Sequence, residues 1–158
     1  MYEVILLAVA LQKWERYSAH ALAARDVAVA LAKGAGRRLH VLSVYDYEFA
    51  TPSSGFSPEL AARLREEQMQ RTDSLMRQKL DEFVAPLKAA GLEVNALLRV
   101  GSPRNLIVQT ATHLNADVLV IGSHSKRGLF DITLGGTAQY VSRHAPCTVV
   151  LVTPKRKA

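Results

Sequence analysis

The chain has 158 residues, of which 49% are hydrophobic, and a formal net charge of +6. This length and composition predict a single domain with a full core over residues 1–158. No apolar run reaches the ~20 residues of a membrane helix, and the start "MYEVILL" lacks the basic residues of a secretory signal, so we expect a cytoplasmic protein without membrane insertion.

The positive charge is concentrated towards the end of the chain. Residues 1–121 contain 14 Lys/Arg and 13 Asp/Glu, whereas residues 122–158 contain six basic residues and one acidic residue. Part of this excess lies in residues 154–158, which we interpret as a solvated basic tail. Lys126 and Arg127 lie in a loop, where they either bind an anion or are simply exposed. No face combining basic and aromatic residues can be assembled, so nucleic-acid binding is not expected.

Short apolar runs alternate with longer helix-like segments, as in a parallel sheet covered by helices. The runs rich in Val, Ile and Leu predict five strands, near residues 4–10, 39–45, 93–100, 118–121 and 148–152. Four helices are predicted between them, which gives the order β-α-β-α-β-α-β-α-β. The expected fold class is therefore α/β, an open five-stranded parallel sheet with helices on both faces.

The first helix is predicted within "SAHALAARDVAVALAKGAG", which is rich in alanine and ends in glycines. Its expected core face is Leu22, Val27, Val29 and Leu31. The second helix is predicted to start at Ser57 and Pro58 and to run to about Ala90, with Gly91 as its stop and Pro86 bending or dividing the last turns. Its expected core stripe is Leu60, Leu64, Leu75, Leu80, Phe83 and Leu87.

Two further helices and one irregular segment complete the chain. Ser102 and Pro103 predict a third helix that ends near Asn115, and the fourth begins around Gly136 or Thr137 and ends before Pro146. The Pro-, Gly- and Ser-containing segment "DYEFATPSSGF" is expected to be a mobile flap. Cys147, the single cysteine, is interpreted as a small buried hydrophobe.

The stretch "IGSHSKRGLFDITLGGT" joins the end of an apolar strand to the start of a helix. Gly122 and Gly135 would let a ligand approach the backbone, and Ser123 and Ser125 offer hydroxyl groups. The amides of residues 135–137 open a helix whose positive end attracts phosphate. Because ligands of open α/β sheets bind beyond the carboxyl ends of strands, we predict a phosphate-bearing ligand here. The alternative is that the glycines only turn the chain.

Several stretches together resemble the universal stress proteins, small cytoplasmic α/β domains that often bind ATP or related adenine nucleotides. The resemblance spans essentially the whole chain and is strongest in "ADVLVIGSHSKRGL", "LGGTAQYVSRHAPCTVVLV", "ILLAVA" and "AKGAGRRLHVLSV". It implies a Rossmann-like, adenine-nucleotide α-hydrolase-like fold and a homodimer paired through the last strand. An apolar run such as "CTVVLV" at a sheet edge is also usually paired or covered.

The binding loop of the family usually carries Gly, two residues, Gly, nine residues, Gly, and then Ser or Thr. On this sequence the first and third glycines fall on Gly122 and Gly135. Ser125 stands at the second glycine and Gly136 at the hydroxyl position, although Thr137 offers a hydroxyl one residue later. These departures predict weaker nucleotide binding than in a member with the full motif.

The resemblance also implies contacts to the adenosine. Val9 and Val44 would flank the adenine ring, and Ile121 and His124 would lie near the ribose. Nucleotide-binding members usually end the first strand in Asp, whereas Ala10 stands there in this sequence. The complete candidate nucleotide-binding set is Ala8, Val9, Ala10, Val44, Ile121, Gly122, Ser123, His124, Ser125, Lys126, Arg127, Gly135, Gly136 and Thr137.

The resemblance implies a non-catalytic stress-response sensor or adaptor that binds an adenine nucleotide, with ATP or AMP favoured and Mg²⁺ as a candidate companion. The rival hypothesis is a nucleotide-free interaction module of the same fold that regulates a transporter or kinase through its dimer surface. At most weak ATP hydrolysis is expected, because the loop offers no identifiable general base. The five histidines show no metal-type pairing, and neither GxxxxGK[ST] nor GxSxG occurs.

Overall fold

The computed structural model describes residues 2–11, 17–49, 55–123 and 135–155. Within these ranges, strands and helices alternate in the predicted order, and each strand boundary agrees with its prediction to within one residue. The elements are β1 (Val4–Val9), α1 (Ala19–Ala32), β2 (Arg38–Tyr45), α2 (Pro58–Ala89), β3 (Val94–Val100), α3 (Pro103–His113), β4 (Val118–Gly122), α4 (Gly136–His144) and β5 (Thr148–Val152). No helix in these ranges combines the length and the apolar character needed to cross a membrane.

The five strands form one parallel sheet in the order β3-β2-β1-β4-β5. β1 lies at the centre, where Ala8 pairs with Leu42 of β2 and with Ile121 of β4. The chain winds outward from β1 to β3 and then returns to the other side of β1, so the winding reverses between β1 and β4. The α/β fold class is thus confirmed, and the carboxyl ends of β1 and β4 lie at the point where ligand crevices of such sheets form.

Apolar layers cover both faces of the sheet. Alternate residues of β1 divide between them, with Ile5 and Leu7 in the layer under α1 and α2, and Leu6 and Ala8 in the layer under α3 and α4. All four of these side chains are at most 5% exposed. This explains why β1 and β4 are continuous apolar runs without polar alternation.

The predicted core face of α1 is wrong. Its buried side chains are Ala21, Ala24, Ala28 and Ala32. The expected core residues Leu22, Val27, Val29 and Leu31 are only partly buried at the margins of the same layer. Methyl groups allow the helix to lie close on the strands, and the larger side chains then fill the space at its two sides. Ser18 caps this helix, since its Oγ accepts a hydrogen bond from the Ala21 backbone N–H at 3.1 Å.

Half of the predicted core stripe of α2 is also wrong. Leu60, Leu64 and Leu75 are 38%, 43% and 51% exposed. The buried residues lie in the last part of the helix and are Met76, Leu80, Phe83, Val84 and Leu87. The cause is length, because a helix of 32 residues extends ~48 Å at 1.5 Å per residue, well beyond strands of five to eight residues. The helix stays continuous past Pro86, so the last turns are not divided.

Hydrogen bonds connect the end of β2 to the middle of α2. The hydroxyl groups of Tyr45 and Tyr47 both donate to Oδ1 of Asp73, the latter at 2.6 Å. Burial and the hydrogen bond to Asp73 raise the pKa of Tyr45 above its ordinary value. The predicted flap, residues 46–56, follows directly, but residues 50–54 lie outside the described ranges and its mobility stays a prediction.

Candidate nucleotide-binding site

β1 and β4 end next to each other at the switch point, and part of the predicted site surrounds these two ends. Ala8 pairs with Ile121, and the residues that follow them, Val9 and Gly122, are the last residues of β1 and β4. Ala10 follows β1 and is exposed. Four residues of the predicted site lie outside the described ranges: His124, Ser125, Lys126 and Arg127.

The two valines expected to flank adenine point to opposite faces of the sheet. Val9 is 7% exposed in the layer under α1 and α2, whereas Val44 is 8% exposed in the layer under α3 and α4. Ala8 and Ile121 share the layer of Val44. A ring that contacts both valines therefore has to lie across the strand ends, not on either face.

Gly122 is packed directly against α1. A Cβ atom at position 122 would lie 3.0 Å from the Cβ of His20 and 3.6 Å from its backbone carbonyl. The first turn of α1 can therefore approach the end of β4 only because residue 122 has no side chain. No sequence motif marks His20 for this contact, although its position just after the cap of the helix that follows β1 places it at the same end of the sheet.

Ser123 is directed towards β5. Its backbone N–H donates to the carbonyl of Val152 at 2.9 Å, and its Oγ lies 2.6 Å from Oγ1 of Thr153. The hydroxyl group that was predicted to be available for phosphate therefore already has a partner. This interaction anchors the start of the loop to the neighbouring strand.

α4 starts with two glycines, Gly135 as the N-cap and Gly136 as its first residue. Gly135 is the N-cap residue, with φ −57° and ψ 149°, and it makes no side-chain cap hydrogen bond. The first turn contains no acidic residue. The first N–H groups of a helix have no partner within it, so the amides of Gly136 and Thr137 depend on an acceptor from outside α4. Gly136 is exposed and Thr137 is half-buried.

α3 brings a cation to this same helix start. Arg104 lies in the first turn of α3, and a Cβ at Gly136 would be 2.7 Å from its Nη2 atom. Its guanidinium carbon is 6.0 Å from the centre of the Tyr140 ring. Sequence reasoning missed Arg104 because α3 and α4 are distant in the chain. The available signal was "GSPRNL", which places a basic residue just beyond the carboxyl end of β3.

Comparison with known proteins defines the family. The sequence profile of the universal stress protein family matches residues 1–153. The chain belongs to the universal stress protein family. Universal stress protein Sll1388 of Synechocystis is 29% identical over 111 residues, 70% of this chain and 69% of that one. Universal stress protein MJ0531 of Methanocaldococcus jannaschii is 29% identical over 138 residues, 86% and 76% of the two chains.

Solved structures share the fold of this universal stress protein. Protein MJ0577 of Methanocaldococcus jannaschii superposes with a TM-score of 0.78 at 22% identity and covers 99% of both chains. A universal stress protein in complex with cAMP gives 0.64 at 21%, over 98% and 99% of the chains. A family member from Arabidopsis thaliana with AMP bound also gives 0.64 at 21%, over 96% and 92%.

Cys147 and His144 of this universal stress protein both pack against neighbouring side chains. Cys147 is half-buried against the layer under α3 and α4, and burial followed by the charge of Asp117 raises the pKa of its thiol. His144 stacks on Tyr140 with ring centres 4.1 Å apart. In the part of the chain that the structure describes, no group of three or more His, Cys, Asp or Glu side chains is arranged to bind a metal ion.

Proposed function

We propose that this universal stress protein binds an adenine nucleotide, ATP or AMP, at the sheet switch point and acts as a non-catalytic stress sensor or adaptor in the cytoplasm. The observation that carries the proposal is the glycine start of α4, where Gly135 makes no side-chain cap hydrogen bond, with the Arg104 guanidinium beside Gly136. Backbone donors and a cation in one place provide what phosphate binding requires. Two proteins of the same fold, described as complexes with cAMP and AMP, give further support.

The proposed contacts divide the ligand between two parts of the site. The amides of residues 135–137 would bind phosphate oxygens, together with the loop residues His124, Ser125, Lys126 and Arg127. The strand ends at Ala8, Val9, Val44 and Ile121 would contact the adenosine, and Gly122 and Ser123 would shape the loop. Ala10 provides no side-chain acceptor for the ribose, so we expect modest affinity. We propose that Mg²⁺ accompanies the phosphates. We also propose that residues 1–158 form one domain.

We also propose that two copies pair through β5. This strand is at one edge of the sheet, and Leu151 is 40% exposed on it. Edge strands with apolar side chains are usually covered in solution. The same surface supports the second candidate function, in which the dimer acts on a protein partner without any nucleotide.

The decisive experiment is titration calorimetry with ATP, AMP and cAMP, together with mass spectrometry of small molecules released when the purified protein is denatured. We expect at least one adenine nucleotide to bind. The variant Ser125→Gly/Gly136→Ser, which restores the usual loop pattern, should bind more tightly. Among the described residues, the new Cβ at position 136 meets the far end of the flexible Arg104 side chain, which can move by a few tenths of an ångström. Absence of binding heat for both proteins would exclude the nucleotide function and favour the interaction module.

A further inference from the structure

The starts of α3 and α4 meet at the carboxyl edge of the sheet. Both helices lie on the same face and pack against each other. Arg104 is in the first turn of α3, and Gly136 is the first residue of α4. The 2.7 Å separation between a Cβ built at Gly136 and Nη2 of Arg104 means that the guanidinium occupies the space a side chain at position 136 would need.

This arrangement concentrates positive potential at one point. The helix start carries about half a positive charge, and the guanidinium adds a full one. No acidic residue stands in the first turn of α4 to neutralise it. Tyr140, one turn further along α4, lies under the guanidinium with 6.0 Å between the guanidinium carbon and the ring centre. Cation–π attraction of this kind favours a guanidinium position over the ring, close to the amides of α4.

We propose that Arg104 is a specificity-determining residue that binds the phosphate chain of the ligand and makes affinity depend on phosphate charge. This inference rests on the proposed nucleotide site and assigns the cation within it. A planar guanidinium with several N–H donors matches phosphate oxygens, and the adjacent amides of Gly136 and Thr137 provide the remaining donors. The adenosine is bound elsewhere, at the strand ends, so Arg104 contributes to phosphate recognition alone.

The test compares Arg104→Gln and Arg104→Lys with the natural protein. Arg104 is exposed, so neither change should alter the fold, and thermal melts check this. Arg38→Gln is the matched control, because it removes the same charge from an exposed arginine. Arg38 is the first residue of β2 and so lies at the amino ends of the strands, away from the proposed site. Affinities are measured by calorimetry for adenosine, AMP, ATP and inorganic tripolyphosphate. The amide signals of Gly136 and Thr137 are followed by NMR.

Arg104→Gln should weaken ATP and tripolyphosphate binding by roughly tenfold, about 1.4 kcal/mol, and leave adenosine binding unchanged. Arg104→Lys should recover part of the loss, because it keeps the charge without the planar fork. The control should bind like the natural protein. Equal losses for ATP and adenosine, or no loss for ATP, would overturn the proposal.

A failure of the proposed function gives a different result from a failure of the Arg104 proposal. If the natural protein binds tripolyphosphate with shifts at Gly136 and Thr137 but no adenine compound, the adenine-nucleotide function is wrong. The comparison of Arg104→Gln with Arg38→Gln then decides the role of Arg104 on tripolyphosphate alone. If the natural protein binds neither ligand class, both proposals are wrong.

Discussion

Gly122 and His20 are in such close contact that a single methyl group at position 122 would come within 3.0 Å of the His20 Cβ. The neighbouring atoms belong to the Cβ and the backbone of α1, so they can move only if the helix moves. Glycine at this position is thus a packing requirement as well as a candidate ligand contact. The two roles can be separated by experiment.

Gly122→Ala should lower the free energy of unfolding by about 1–3 kcal/mol, the usual cost of forcing a methyl group into a packed site. Denaturant titration measures this change. Gly136→Ala is the matched control, since among the described residues the new methyl group there meets the flexible end of Arg104 and should cost little stability. Equal stability of both variants would show that α1 shifts freely at this edge.

Gly135→Leu should weaken nucleotide binding strongly without unfolding the protein. Gly135 has φ −57°, which any residue adopts, so the substitution introduces no backbone strain. The leucine side chain would occupy space beside the phosphate site, and we expect affinity for ATP to fall more than tenfold, or over ~1.4 kcal/mol. Calorimetry with a parallel thermal melt measures both effects. Unchanged ATP affinity in a folded Gly135→Leu protein would show that the start of α4 is not part of the proposed site.

The dimer proposal is best tested at Leu151. Val150 packs partly against the layer under α1 and α2, whereas Leu151 is 40% exposed. Leu151→Lys should therefore weaken self-association and leave the fold intact, while Val150→Lys should mainly lower stability. Sedimentation at micromolar concentration and thermal melts distinguish the two effects. A natural protein that sediments as a monomer would contradict the dimer proposal.

His40 should make stability depend on pH near neutrality. Burial, followed by the charge of Arg38, lowers the pKa of His40 below its ordinary 6.5, and its buried Nδ1 has no hydrogen-bond partner among the described residues. The native state therefore favours the neutral ring. The contribution of His40 to stability is present above pH 6.5 and is lost as the pH falls through the lowered pKa.

Denaturant titrations from pH 8 to pH 5 should show this loss in the natural protein and a flatter profile in His40→Gln. NMR titration of the ring gives the pKa directly. A value at or above 6.5 would contradict the prediction.

The central strands β1 and β4 were predictable because they are buried on both faces. Residues such as Leu6 and Leu7 point to opposite layers, so the whole run is apolar and its limits are clear in the sequence. Helix faces were less predictable. Hydrophobic size suggested Leu22 and Leu60 as core residues, but the sheet accommodates the alanines of α1 and does not extend under the first half of α2.

The candidate site was predictable in part. The glycines, the strand end and the helix start follow from local sequence, and the structure places Gly122 at the end of β4 and Gly135 at the start of α4. His20 approaches Gly122 from α1, and Arg104 approaches Gly136 from α3. Which long side chain meets a given backbone position depends on how the helices pack, and nothing in the spacing of the sequence encodes that contact.

The alanine face of α1 has a consequence for which sequences this protein can tolerate. Ala24 and Ala28 are fully buried, and their methyl groups fix the distance between helix and sheet. A larger residue at either position would lift α1, and His20 would move away from Gly122 with it. These core alanines therefore act as spacers at Gly122, so changes in core volume should alter the proposed nucleotide affinity before they abolish folding.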